Sequence, residues 1–165
     1  MLRLRKVLQE DCDLLFTWAN DPQVRQNSIH TEPILWDTHV AWFADKLADS
    51  NCLHLIAEDA DGLPVGQIRF DISTVLTECT DRESLKAEIS LSMDRNQRGK
   101  GRGTAIIAQG LTVLFHKTNV LCAHAWIHPQ NEPSQRAFLR AGFSYTEIET
   151  KEGQALHHYT RFKFS

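Results

Sequence analysis

Hydrophobic and polar positions along the chain fall into two rhythms, one with period two and one with period 3.6. Leu2 to Val7 alternates apolar and basic residues, which predicts a half-buried strand. Asp11 is placed to cap a helix whose apolar face is Leu14, Leu15 and Trp18. Asn20-Asp21-Pro22 ends that helix, because the residue before proline avoids the helical region. A loop is predicted from Val24 to Pro33. A second helix follows from near Asp37, with His39, Trp42, Phe43, Lys46 and Leu47 as its stripe. Leu53–Glu58 and Val65–Phe70 read as a hairpin about the Asp61-Gly62 turn. Thr77 to Ser84 is polar and acidic and reads as a surface loop. Ala87–Met93 is a strand, and the apolar pairs 106/107, 110/111 and 114/115 mark a helix over Thr104–Phe115. Val120–Ile127 is a strand. Asn131-Glu132-Pro133-Ser134 opens a short helix that Gly142 closes. Strands near Ser144–Glu149 and Leu156–Phe164, joined through Gly153, complete the chain. The order β-α-α-β-β-β-α-β-α-β-β predicts an α/β (α+β) mixed sheet of about seven strands, flanked on both faces by about four helices.

The sharpest chemical signal lies between the fourth strand and the third helix. Arg98-Gly99-Lys100-Gly101-Arg102-Gly103 alternates three cations with three glycines. The first N–H groups of the helix that follows have no partner within it, and the helix dipole adds positive charge there. Glycines admit a ligand close to the backbone, so the stretch suits an anion such as a phosphate. It is not a Walker loop, since Gly101 follows Lys100, nor a G-x-G-x-x-G fingerprint, since its spacing is G-x-G-x-G. The alternative is a flexible basic turn.

Bulk properties narrow the partners. A chain of 165 residues with net charge −3 is most simply one domain, residues 1–165, and it has no long basic run for nucleic acid. A chain this long buries about 70% of its unfolded surface, so its core needs no staple. Cys12, Cys52, Cys79 and Cys122 form no C-x-x-C pair and no zinc spacing, so free thiols in a reducing cytoplasm and no bound metal are expected. No stretch reads as a signal peptide or a membrane span.

Two motifs carry a family resemblance. Arg98-x-x-Gly101-x-Gly103 at a strand-to-helix turn resembles the acetyl-CoA loop of the GNAT N-acetyltransferases. Asn131-x-x-Ser134-x-x-x-Phe138-x-x-x-Gly142-Phe143 is similar to that family's motif after its fifth strand. Together they span Glu88 to Phe143. The resemblance implies the GNAT fold and acetyl-CoA as cosubstrate. It implies that Arg98, Gly99, Lys100, Gly101, Arg102, Gly103 and Thr104 surround the CoA pyrophosphate and that Asn131 and Ser134 touch CoA. It also implies a bulge near Leu91–Met93 that admits the pantetheine arm and stabilises the thioester oxygen. Phe138 stands where relatives often carry a tyrosine that protonates the thiolate, which leaves Ser134 or water as candidate donors to the sulfur, and Tyr145 as a weaker one. A free thiol has a pKa of about 8.5, so the thiolate already leaves readily. Glu88 matches a glutamate that is catalytic in several relatives. Glu88 reads equally as a solvated strand-end acid; His30 and His39 are other candidate bases, and His39, on its helix stripe, reads better as a packed residue.

The first two helices and their loop carry acceptor choice in this family. Here they resemble acetyltransferases of nucleotide-linked 4-amino sugars in the pseudaminic acid pathway, and more loosely the RimJ/RimL branch that acetylates protein N-termini. Arg25, Asn27, Ser28, His30 and His39 are the candidate acceptor contacts, with Arg25 suited to a phosphate. The expected partners are acetyl-CoA and a small amine, in a monomer or homodimer. A non-catalytic acyl-CoA-binding module is the alternative class.

Overall fold

A computed structural model describes residues 1–76 and 83–164. Its strands are β1 (Arg3–Lys6), β2 (Cys52–Glu58), β3 (Pro64–Leu76), β4 (Glu83–Met93), β5 (Val120–Ile127), β6 (Ser144–Lys151) and β7 (Gln154–Phe162). Its helices are α1 (Cys12–Ala19), α2 (Pro22–Gln26), α3 (Trp36–Ala48), α4 (Arg102–Lys117) and α5 (Glu132–Arg140). Seven strands form one sheet in the order β1-β2-β3-β4-β5-β7-β6. Neighbouring strands are antiparallel except β4 and β5, which run parallel.

The alternation of side chains sorts the two faces. On one face, Leu55, Ala57, Ala87, Ala123 and Ala125 pack against Ile106, Ile107, Leu111 and Leu114 of α4 and Phe138 of α5. Burying those four α4 side chains stabilises the fold by about 6–12 kcal/mol, at about 1.5–3 kcal/mol each. Gly110 lets α4 approach closely: a Cβ there would stand 2.9 Å from Ile68 Cδ1. On the other face, Ile56 packs with Val7, Leu15, Trp18 and Phe43 under α1 and α3. α3 packs on β2 and α1 on β4.

The structure corrects four readings. The segment expected as a loop begins with α2, because Pro22 at its first turn presets the backbone and the Asp21 carboxylate accepts from the N–H groups of Gln23 and Val24. Asp11 does not cap α1. Its carboxylate takes Arg5 through two hydrogen bonds of 2.7 and 2.8 Å, and the Leu8 N–H at 2.7 Å. Leu47 is exposed, so the α3 stripe ends at Lys46. β3 and β4 extend past the predicted hairpin, pairing as far as Leu76 and Glu83, so Ser84 lies in a strand. The rest of the predicted 77–84 loop lies outside the described residues.

Candidate active site

α4 begins at the glycine stretch as expected. Gly101 caps it at φ 72°, a left-handed conformation that side chains resist, and Gly99 sits at φ 75°. No side chain caps the helix, so its first N–H groups are open to an anion. A Cβ on Gly103 would stand 3.9 Å from Ala137 of α5 and 4.0 Å from Leu91 of β4, so three elements converge there. The flanking cations divide. Lys100 and Arg102 both donate to Gln97 beside the loop. Arg98 is turned away from a phosphate: it donates to Gln23 and Asp21 of the α2 entrance at 2.8 Å each, and to the Met93 carbonyl at 3.1 Å. Burial alone would raise the Asp21 pKa, but Arg98 outweighs it and holds the carboxyl below its usual range. Arg98 is therefore a brace, correcting its expected place on the pyrophosphate.

The cleft for an extended arm opens between β4 and β5. Their parallel pairing runs from Leu85/Val120 to Glu88/His124 and stops. Alternate peptide groups along the β5 side of Ile89–Met93 are thus left without a strand partner. The expected bulge at Leu91–Met93 is absent. β4 stays in register with β3 throughout, and the irregularity lies between Leu85 and Lys86 on the β5 side. Asn131 caps α5 through the Ser134 N–H at 3.3 Å, which orients Ser134 one turn before buried Phe138. Phe138 packs edge-on to Phe143 at 5.0 Å, a core role that needs no hydroxyl. Thr104 lies in the first turn of α4.

Beyond the last paired rung, the face opposite α4 carries a cluster that the sequence reading did not assemble. Glu88 accepts two hydrogen bonds from the Lys151 ammonium, at 2.9 and 3.0 Å, and that ammonium lies 3.7 Å from the centre of the Trp126 ring. Trp126 donates to Glu149 Oε2 at 2.9 Å and lies parallel to His158, with ring centres 4.7 Å apart. His124 Nδ1 is 2.9 Å from His158 Nε2. Glu149 Oε1 stands 2.7 Å from His158 Nδ1 but off the direction of the ring N–H, a contact of ion-pair length without a linear hydrogen bond. Burial, together with neighbouring His158, Lys86 and Lys151, lowers the His124 pKa to about 4, against the opposing pull of Glu149. The local signal for this cluster was His124-x-Trp126 alternating with small residues in β5. Its partners come from β6 and β7.

The α2–α3 loop overhangs this face. Gln154 donates to the Ile29 carbonyl at 2.7 Å, and His30 pairs with Glu152 at 2.8 Å. Arg25 is turned into its own surroundings, with Nε, Nη1 and Nη2 each donating once, to Ala19 O, His30 O and Ser28 Oγ. Ser28 donates in turn to Val24 O. Asn27 caps the end of α2. His39 is 2% exposed, bonded to the Cys12 carbonyl and ringed by Phe16, Trp36, Trp42 and Phe43. It is a packing residue and leaves the list of acceptor contacts and bases.

Comparison with known proteins agrees with this arrangement. A family model described as an acetyltransferase (GNAT) domain matches residues 1–144. An uncharacterized N-acetyltransferase p20 of Bacillus licheniformis is 28% identical over 134 residues, 81% of this chain and 73% of that protein. The fold resembles a spermidine N-acetyltransferase from Vibrio cholerae solved with CoA and spermine (TM-score 0.82, 16% identity, 99% of this chain and 96% of that one). It also resembles the aminoglycoside acetyltransferase AAC(6')-Ib solved with CoA and kanamycin (TM-score 0.80, 18% identity, 99% and 96%). A helix start open to phosphate, a splayed parallel strand pair and a family match over most of the length lead to one conclusion: the chain belongs to the GNAT acetyltransferase family and is an acetyl-CoA-dependent N-acetyltransferase.

Proposed function

We propose that the chain transfers acetyl directly from acetyl-CoA to a primary amine borne on an amino sugar. The observation that carries this is the Lys151 ammonium, held by Glu88 and by the face of Trp126 beside the β4–β5 opening. A carboxylate and an aromatic face together favour an alkylammonium. In this reading the acceptor's ammonium displaces Lys151 and takes Glu88, so Glu88 binds and orients the amine. Trp126 then offers its face to the sugar ring. Among the relatives by fold, AAC(6')-Ib was solved with kanamycin, an aminoglycoside. Arg25 is held by its own surroundings, so in this reading the sugar amine is the part of the acceptor that Glu88 and Trp126 recognise.

The chemistry asked of the protein is modest. Phosphate binding at α4 anchors CoA, and a free N–H of β4 beyond Ile89 stabilises the developing oxyanion. Ser134 donates to the departing sulfur. The test is thiol release from acetyl-CoA with kanamycin, a nucleotide-linked amino sugar, spermidine and a peptide with a free N-terminus. Turnover of the sugar amines is expected. Turnover of the peptide alone sinks the sugar assignment and favours the RimJ/RimL-like reading, leaving acetyl transfer standing.

A further inference from the structure

We propose that His124 is the proton acceptor of this enzyme, held in the competent tautomer by its hydrogen bond to His158, whose Nδ1 faces the charge of Glu149. The inference rests on acetyl transfer to an amine and not on which amine. His124 and Glu88 are the last paired residues before β4 and β5 part, and their side chains share the face opposite buried Ala87 and Ala123. His124 therefore stands at the foot of the cleft in which the thioester must lie. Glu88 already holds an ammonium and does not serve as the base.

The tautomers follow from the charges. An anionic Glu149 oxygen 2.7 Å from His158 Nδ1 favours a proton on that nitrogen. With its ring proton on Nδ1, His158 presents the Nε2 lone pair, and His124 Nδ1 donates to it across 2.9 Å. His124 Nε2 is left as a lone pair, and it takes no hydrogen-bond partner among the described residues. It is also missing from the buried orphan nitrogens, which among the described residues are His128 Nε2 and His158 Nδ1, so it reaches solvent. The charged groups around His124 are Lys86 and Glu88 on β4, Glu149 and Lys151 on β6, and His158 on β7. Burial keeps its pKa at about 4, so it is neutral and able to accept at neutral pH.

The acceptor, held on Glu88 as an ammonium, first loses one proton to water; the neutral amine nitrogen then bonds to the thioester carbon and the C–S bond breaks. The nitrogen's surplus proton goes to His124 Nε2, and CoA leaves as the thiolate. His124 then returns the proton to solvent or to the thiolate. Transfer to so weak a base is uphill, and loss of the thiolate, which ends the tetrahedral intermediate, draws it forward. Glu149 and His158 are positioning residues. They do not form a metal site: among the described residues no group of three or more His, Cys, Asp or Glu is arranged to hold an ion.

Long-range proton–nitrogen spectra of histidine-labelled protein at pH 7 test this with no acceptor present, the His124→Gln variant assigning the signals. Nδ1–H with a bare Nε2 on His124 is expected; an Nε2–H form overturns the proposal. Kinetics supply the second arm, with kanamycin, spermidine and hydroxylamine as separate acceptors. His124→Ala should lower kcat about 100-fold with calorimetric affinity for acetyl-CoA unchanged, and added imidazole should restore part of the loss. Glu149→Gln should cost less in kcat and mix the His124 tautomers. A His124→Ala enzyme within about threefold of the parent in kcat defeats the assignment even if the tautomer is as expected.

Discussion

Lys151 shows how one side chain can mark a binding site by filling it. Its ammonium bridges Glu88 and Trp126, so removing it should help the acceptor. Lys151→Met is expected to lower the acceptor KM severalfold with KM for acetyl-CoA unchanged, whereas Glu88→Gln should raise the acceptor KM about tenfold or more. A rise in acceptor KM for Lys151→Met in steady-state kinetics would refute the displacement. Gly101 acts through its backbone. At φ 72° a valine is strained by about 1–2 kcal/mol, and the strain is relieved by tilting the N–H groups that meet phosphate. Gly101→Val should weaken acetyl-CoA at least tenfold by calorimetry, with a melting temperature within a few degrees of the parent. Gly103 lacks a positive φ and has Ala137 and Leu91 as its nearest neighbours. Valine there acts by crowding the convergence of α4, α5 and β4.

Among elements, α2 is short and depends on its cap. Asp21 accepts from two of its N–H groups and also anchors Arg98. Asp21→Ala should therefore destabilise the protein by more than the ~1 kcal/mol of an ordinary cap, measured by urea unfolding. A loss under about 0.5 kcal/mol would show that the Arg98 contact adds nothing. This element was the one the sequence hid, because Asn-Asp-Pro reads as a stop for α1 while the same proline starts α2. The glycine loop, α4 and the Asn131–Phe143 segment were legible because each is a local pattern: a capless helix start, a 3.6 period, a proline first turn. The His124, His158, Glu149 and Lys151 cluster was not. It depends on β7 inserting between β5 and β6, and on a register that sets Trp126 opposite His158. No window of adjacent residues contains that information. Arg25 and His39 misled for the related reason that residue type suggests chemistry, while burial and partners decide whether it is available.

For the molecule as a whole, stability should be sensitive to mild acid. His54 is half-buried, edge-on to Trp42 and near Arg69, and desolvation chiefly lowers its pKa from 6.5 to about 4. The unfolded chain therefore takes up a proton before the folded one does. Stability is full above about pH 6.5 and falls as pH drops toward 4, with His124 adding a loss of the same sign. Denaturant unfolding at pH 7 and pH 5 should show the decline, and His54→Gln should flatten it. Arg98 has a wider reach. Its one guanidinium joins the end of β4, the cap of α2 and the entry to the glycine loop. If the α2–α3 loop contacts the acceptor, the two substrates meet surfaces that share this strut, and coupling between them is expected to run through it. Thermodynamic reciprocity then requires that whatever factor acetyl-CoA adds to acceptor affinity, the acceptor returns to acetyl-CoA. Calorimetric titrations of acetyl-CoA with and without kanamycin should differ in the parent and coincide in Arg98→Gln.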